Sequence, residues 1–285
     1  MPVDINTLRE WIGKTESRTD QVTPFPIEAL SATLDRLDPP VQAGDPLPPL
    51  WHWLYFLPLH RHSEIGSDGH AKRGGFLPPV ALPRRMWAGS RLVFRHPLRV
   101  GENISRTSRI ADVNHKEGRS GSLLFVVLRH EISNASGVGI IEEQDLVFRE
   151  HPKPGETTTS SKPVPTAFDW DREIVANEVL LFRYSALTFN GHRIHYDRRY
   201  SREVEGYPGL AVHGPLLATL LLDLLRRNAP NSSVREFTFR AVRPLFDTAP
   251  FSIRGHLEPD GRIAQLWAQD ANGSLAVEAT AVLNL

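Results

Sequence analysis

The stretch TFNGHRIHYDRRY, from Thr188 to Tyr200, sets two histidines three residues apart, with an Asn before them and an Asp after. Three readings of it are open. His192 and His195 form an H-x-x-H pair, and Asp197 alternates with His195, which is part of a metal-ligand set. Zinc pairs more often use longer spacings or i,i+4 on a helix, whereas Gly191 interrupts the helix here and the chain has no cysteine. Alternatively this is a basic surface loop, since Arg193, Arg198 and Arg199 crowd it. The third reading is catalysis, with His195 as a general base near neutral pH. Downstream lies YPGLAVHGPLLATLLLD, in which Gly209 and Gly214 allow close backbone approach. The Gly214 N–H falls at the start of an apolar helix, where unpaired N–H groups and positive potential can hold a developing oxyanion. Asn190, five residues before His195, can position a water or a carbonyl.

These groups need a scaffold. An amphipathic helix is expected after Thr23, with Ile27, Leu30, Leu34 and Leu37 on one face and Pro39 and Pro40 as its stop. The prolines of DPLPPLWHWLYFLP bar a long helix there, and its aromatics require burial or a ligand. A Gly-rich loop, Ile65 to Gly75, follows. Residues 91–98, 104–116, 122–132 and 139–148 read as strands separated by turn residues. In the second half, Asn177 is placed to cap a helix carrying Val179, Leu180, Tyr184 and Leu187. PLLATLLLDLLRR (215–227) is apolar nearly all round and reads as a buried helix opened by Pro215. Strands are expected again at 236–246, 251–258, 262–270 and 274–283.

The halves align with each other. LSATLD at 30–35 matches YSALTF at 184–189, LVFRHPL matches FTFRAVRPL, and SNASGVGIIEEQDLVF matches DANGSLAVEATAVLNL. A helix wrapped by a curved antiparallel sheet is the hot-dog arrangement. Two in one chain make an α+β double hot-dog, a pseudo-dimer within one polypeptide. The expected division is a first unit at 1–150, a solvated linker at 151–166 and a second unit at 167–285.

The composition narrows the classes of function. The chain has 285 residues, 40% of them hydrophobic, and 33 basic residues balance 33 acidic ones. No net field draws it to nucleic acid or to an acidic membrane, so an anionic ligand needs a local Arg. Without cysteine there is no thiolate nucleophile and no disulfide. The start MPVDINTLREWIG lacks the features of a signal peptide, and no apolar run is long enough to span a bilayer, so a cytoplasmic location is expected.

The stretch from Leu181 to Leu222 resembles the hydratase motif of the MaoC-like, (R)-specific enoyl-CoA hydratases. Tyr184-Ser185-Ala186 leads in, His195 falls on that family's catalytic His, and His213-Gly214 falls on the His-Gly that opens its central helix. The first half, with PLPPLWHWLYFLP and GGFLPPVALPRRMWAG, resembles the two-hot-dog relatives called hydroxyacyl-thioester dehydratase type 2. Itaconyl-CoA and 3-methylfumaryl-CoA (mesaconyl-CoA) hydratases are among them.

The resemblance implies a hydro-lyase acting on an α,β-unsaturated acyl-CoA thioester, with a short branched dicarboxylic acyl group. A dehydratase of fatty 3-hydroxyacyl thioesters and a non-catalytic thioester-binding protein are the alternatives. Its implied catalytic group is His195, Asn190 and Gly214. It implies no metal and no separate cofactor, coenzyme A being part of the substrate, and it leaves room for a homo-oligomer of the double unit. One departure stands out. Asn190 occupies the place of the wider family's catalytic Asp, His192 that of its Asn, and Arg193 that of its Pro. Asn is neither acid nor base, so Asp197, Glu64 or Asp68 is a candidate substitute. The proline-broken segment would open a tunnel walled by Trp51, Trp53 and Phe56. A free carboxylate would take one of Arg84, Arg85, Arg183 and Arg193, and Arg240 and Arg243 are candidates for the coenzyme A phosphates.

Overall fold

Alternating apolar residues turn most of the chain into strands. In Gly121–Asn134 the buried positions are Leu124, Val126, Leu128, His130 and Ile132, every second residue, so one face is internal. The computed structural model describes residues 4–118, 121–150 and 164–284. The expected linker at 151–166 therefore lies mostly outside the described residues.

In chain order the elements are α1 (Ile5–Arg9), β1 (Thr15–Gln21), α2 (Pro24–Thr33), β2 (Arg84–Phe94), β3 (Asn103–Gly118), β4 (Gly121–Asn134) and β5 (Gly137–Arg149). The second half follows with β6 (Trp170–Ile174), α3 (Glu178–Leu187), α4 (Arg198–Glu203), α5 (Gly214–Asn228), β7 (Ser233–Ala241), β8 (Phe251–Leu257), β9 (Ile263–Gln269) and β10 (Leu275–Asn284). Short 3₁₀ turns lie at Trp51–Leu54, His62–Glu64 and Arg193–His195. One ten-stranded sheet runs in the order β1-β3-β4-β5-β2-β7-β10-β9-β8-β6. Read outward from the β2–β7 seam, both halves give the same sequence of strands, so the duplication seen in the residues is a duplication of topology. This is the double hot-dog. At the seam β2 carries a bulge at Trp87/Gly89, and Gly89 lies so close to Phe239 that a Cβ there would overlap its carbonyl.

The matched segments LSATLD and YSALTF end their helices in the same way. The chain leaves α2 through Asp35 at φ 57° and leaves α3 through Phe189 at φ 50°. Arg36 N–H donates to Ser31 O at 3.0 Å, and Asn190 N–H donates to Ser185 O at 2.8 Å. Asp35 N–H to Ala32 O and Phe189 N–H to Ala186 O complete two Schellman motifs. This reversal explains one correction. Helix α2 stops at Thr33, well before Pro39, so Leu34 is buried but Leu37 is fully exposed.

Other boundaries also move. Strand β2 starts at Arg84 rather than at 91, and β7 ends at Ala241, after which the Val242 and Arg243 N–H groups both donate to the one Ala276 carbonyl and the regular ladder stops. The buried stripe of α3 is Leu181, Tyr184 and Ser185, while Val179 is exposed. Asn177 does cap α3, accepting from Leu180 N–H at 3.0 Å. Helix α5 is buried continuously from Leu216 to Leu225. No helix among the described residues is long and apolar enough to cross a membrane.

Within that apolar run sits Asp223, its side chain 1% exposed. Arg172 approaches it at 2.9 Å and Arg227 at 2.7 Å, and Arg36 arrives from the first half. Removing one partner of a buried ionic group strands the others. Asp223→Ala is expected to cost about 3 kcal/mol of unfolding free energy. Urea denaturation checks this, and a loss under about 1 kcal/mol would show that the three guanidiniums are already hydrated.

Candidate active site

Phe189 turns the chain out of α3, and Asn190 closes an Asx turn in which its Oδ1 accepts from His192 N–H at 3.0 Å. The amide nitrogen of Asn190 is left without an acceptor among the described residues. The next turn places His195 inward, 8% exposed. Its Nδ1 donates to the Ala211 carbonyl at 2.7 Å. A carbonyl only accepts, so Nδ1 carries the proton and Nε2 offers a lone pair. His195 stacks on His213 with ring centroids 3.7 Å apart. His213 caps α5, is 1% exposed, and places Nε2 2.8 Å from Ser185 Oγ. Gly214 follows as the first residue of α5, with no intrahelical acceptor for its N–H. Asn190, His195 and Gly214 all line one cavity of about 1710 Å³.

The first half reaches into this site. Its Gly-rich loop docks on the motif, with Arg193 N–H donating to Asp68 O at 2.9 Å. Gly69, at φ 89°, passes so near Gly191 that a Cβ would overlap the Gly191 carbonyl. Docking brings His70 against His192, their ring centroids 4.0 Å apart, and His192 in turn lies 5.4 Å from His195. Asp68 accepts from His70 Nδ1 at 3.2 Å. Four imidazoles, two from adjacent loops of different halves, thus form a row. Nothing in the sequence pairs His70 with His192; the glycines at 69 and 191 were the only trace.

Burial sets the charges. Loss of water holds His195 and His70 each down at about 4, and pushes His192 and His213 well below the ordinary imidazole value. Burial is the largest influence on the Asp68 carboxyl and would raise it, but the side-chain and backbone hydrogen bonds from His70, together with the His70 and His192 rings beside it, outweigh burial and keep it ionised. At neutral pH the histidines are neutral and Asp68 is charged.

The remaining site candidates separate cleanly. Trp53 and Phe56 line the cavity, Trp53 donating to Glu142 at 3.0 Å. Trp51 does not. It is core, with the Arg226 guanidinium 5.5 Å above its ring. Arg193 is spent on Asp197, the Ser67 carbonyl and the Tyr200 ring, away from the cavity wall. Asp197 also caps α4 through Tyr200 N–H, which removes it as a substitute carboxylate. Glu64 is turned into its own loop, accepting from Arg61 N–H. Arg183 is exposed outside the cavity. Arg84 is buried but paired with Glu205. Arg240 is exposed and bonded to Glu278, and Arg243 pairs with Asp270 at 2.8 Å beside the cavity. Only Arg85, of the four carboxylate candidates, lines the cavity without a hydrogen-bond partner among the described residues.

The metal pairing also changes. His195 faces Ala211 and His213 rather than His192's partners. His192 instead joins Asp68 and His70, whose donor atoms lie within 4.8 Å of one another. The Nδ1 of His70 is already committed to Asp68 there.

Solved structures share this architecture. A MaoC-like dehydratase superposes with a TM-score of 0.74 at 12% identity, covering 96% of this chain and 98% of its own. A Mycobacterium tuberculosis protein with a double hot-dog fold superposes at 0.59 with 14% identity, covering 96% of each chain. These define a MaoC-like double hot-dog. Residues 50–247 match the family model for hydroxyacyl-thioester dehydratase type 2. A mesaconyl-C(4)-CoA hydratase from Chloroflexus aurantiacus is 47% identical over 275 residues, 96% of this chain and 96% of that protein. The chain belongs to the hydroxyacyl-thioester dehydratase type 2 family.

The depressed histidines tie stability to pH. Folded values near 4 lie below the unfolded value of 6.5, so the unfolded chain binds more protons between them. Their contribution is fully present above 6.5 and is lost as pH falls toward 4. Each such group contributes up to about 1.4 kcal/mol per pH unit across that window. Urea unfolding at pH 7 and at pH 5 should show a clear drop, smaller in His195→Gln. Equal stabilities at the two pH values would mean that these imidazoles are hydrated in the native state.

Proposed function

We propose that this chain catalyses the reversible hydration of an α,β-unsaturated acyl-CoA thioester whose acyl group is a short branched dicarboxylic acid. The observation that carries the reading is His195, fixed by the Ala211 carbonyl with its basic nitrogen free, in a cavity shared with the α5 N-terminus. The identity to a protein named for mesaconyl-C(4)-CoA supports the acyl class.

In this reading His195 Nε2 takes a proton from a water molecule as its oxygen bonds to the β-carbon. Electron density moves to the thioester oxygen, where the Gly214 N–H receives it. The proton on His195 then passes to the α-carbon, which restores the base and balances the addition. Asn190 orients the water or the thioester oxygen through its amide nitrogen. The reaction so written uses no metal and no redox cofactor, and coenzyme A enters as part of the substrate. The first half supplies the cavity that receives the acyl group, with Trp53 and Phe56 among the residues that line that cavity.

His195→Ala is expected to lower kcat by roughly 10²–10⁴ with the fold intact. In the wild type the rate should be flat from pH 6 to 8 and fall only on acidification toward the value near 4, because a protonated imidazole cannot accept. Loss of the enoyl thioester's ultraviolet absorbance measures both. A variant retaining half the wild-type kcat would remove His195 from the chemistry.

Asn190→Asp tests the departure from the wider family. An ionised carboxylate only accepts, so a donor would be exchanged for a negative charge beside the developing enolate. That charge would also raise the His195 value and shift the acidic limb upward. The expected loss is at least about tenfold in kcat/KM. Rates at or above wild type from pH 6 to 9 would show that a shared-water pair of carboxylate and histidine works in this pocket.

A further inference from the structure

We propose that Arg85 receives the free carboxylate of the dicarboxylic thioester and thereby sets the substrate class. This rests on the hydratase reading above and supplies the subsite which that reading lacks.

Most cations on the cavity wall are spoken for. Arg84 is held by Glu205 and lies over the Tyr207 ring. Arg73 donates to the carbonyls of Val80, Leu82 and Pro83. Arg18 donates to the Leu57 carbonyl at 3.0 Å. Two guanidiniums, Arg85 and Arg106, have no hydrogen-bonded partner among the described residues. A half-buried guanidinium with no anion bears a desolvation penalty that a bound carboxylate relieves through paired N–H donors. Burial brings Arg85 down to about 10, still charged at neutral pH.

Position separates the two. Arg85 lies on β2, two residues before Trp87, and side chains two apart share a strand face. The Trp87 carbonyl borders the α5 N-terminus, only 3.6 Å from where a Cβ on Gly214 would stand. The Arg85 backbone is thus about 7 Å along the strand from Trp87, the residue that borders the proposed oxyanion site. In a branched unsaturated diacid with a four-carbon main chain the free carboxylate is three bonds from the thioester carbonyl, a gap that an Arg side chain spans. Asp68, the acid whose field reaches Arg85, is already bonded to His70. Arg106 sits on β3, and the order β3-β4-β5-β2 puts it three strand spacings away, about 14 Å. There it lies over Phe56 at 5.2 Å, too far from the reacting carbons for a short diacid.

The test compares mesaconyl-CoA with crotonyl-CoA, a monocarboxylic enoyl thioester, in wild type, Arg85→Met and Arg106→Met. In Arg85→Met the ratio of kcat/KM for mesaconyl-CoA to that for crotonyl-CoA should fall at least about thirtyfold, mostly through KM. Arg106→Met should leave the ratio within about threefold. In parallel, the saturated analogues methylsuccinyl-CoA and butyryl-CoA are titrated against His195→Ala with and without Arg85→Met. A preference for the diacid that vanishes with Arg85 supports the subsite without any turnover. The proposal is overturned if Arg106→Met causes the drop instead, or if Arg85→Met weakens both thioesters and free coenzyme A equally. Wild type that hydrates crotonyl-CoA and ignores mesaconyl-CoA overturns it while the hydratase reading stands. Wild type that binds the diacid with Arg85-dependent preference yet hydrates neither thioester sinks the hydratase reading alone.

Discussion

Helix α5 is buried from Leu216 to Leu225, and its half-buried N-terminus lies behind the buried cap residue His213 at the cavity wall. The first N–H groups of a helix have no acceptor within the helix. Here Pro215 removes one of these donors outright, and the cap side chain makes no hydrogen bond to the helix. Its imidazole is drawn instead to Ser185, which α3 supplies from the end of its last turn. The N–H of Gly214 is left at the cavity wall. Much of the site follows from this helix end. His213 offers a ring face on which His195 stacks, Ala211 two residues earlier offers the carbonyl that fixes the His195 tautomer, and the Schellman turn after α3 aims Asn190 into the same space.

The first half keeps the strands and loses the helix. Where the second half has α4 and α5, the segment after α2 has prolines and only the short turns at Trp51–Leu54 and His62–Glu64. The inner sheet face that would have packed on a helix carries Arg106, His130 and Glu142 toward the cavity. Glu142 is satisfied there by Trp53 at 3.0 Å, Ser90 at 2.9 Å and His52 at 3.2 Å. Burial would raise that carboxyl, yet the His52 hydrogen bond foremost, with the His52 and His130 rings beside it and the Trp53 bond, brings it to about 2. One unit of the duplication thus carries the motif and the other supplies space with polar walls. The docked loop at Gly69 joins them, since it alone carries Asp68 and His70 across to the motif.

Apolar periodicity made the duplication legible. Strands β3, β4 and β5 lie within two residues of where alternation put them, and α5 within one. The repeated LSATLD and YSALTF were a helix C-terminus written twice, although neither Asp35 nor Phe189 is the glycine that usually marks it. Strands β1 and β6 were missed because TESRTDQ and WDREI are edge strands with little to bury. The motif histidine, its asparagine and the helix glycine could be named from spacing, because all three lie within 25 residues of chain. The arginines could not be chosen that way. Which of Arg84, Arg85, Arg183 and Arg193 is spare depends on Glu205 and Asp197, and pairing is a property of the folded state. The His70–His192 contact was invisible for the same reason, being made between loops of different halves.

Charge balance gives the amide at 190 a physical rationale. A base that must accept a proton at neutral pH has to be neutral, and burial keeps the whole imidazole row so. The carboxylate beside this row, Asp68, is bonded to His70, and His192 stands between that pair and His195. Its pull toward protonation is therefore spent at the far end of the row. A second carboxylate at 190 would act on His195 directly. It would also meet the substrate, because a dicarboxylic thioester brings its own negative charge into the cavity. Like charges a few ångströms apart in a poorly hydrated pocket repel by several kcal/mol, roughly 4 kcal/mol at 4 Å for an effective dielectric of about 20. Asn190 keeps the shape of the family's acid and offers a donor in its place. In a pocket that takes a neutral acyl chain, a carboxylate at this position costs little. In one that takes a diacid, the uncharged amide lets Arg85 be the charge that the substrate's free carboxylate meets.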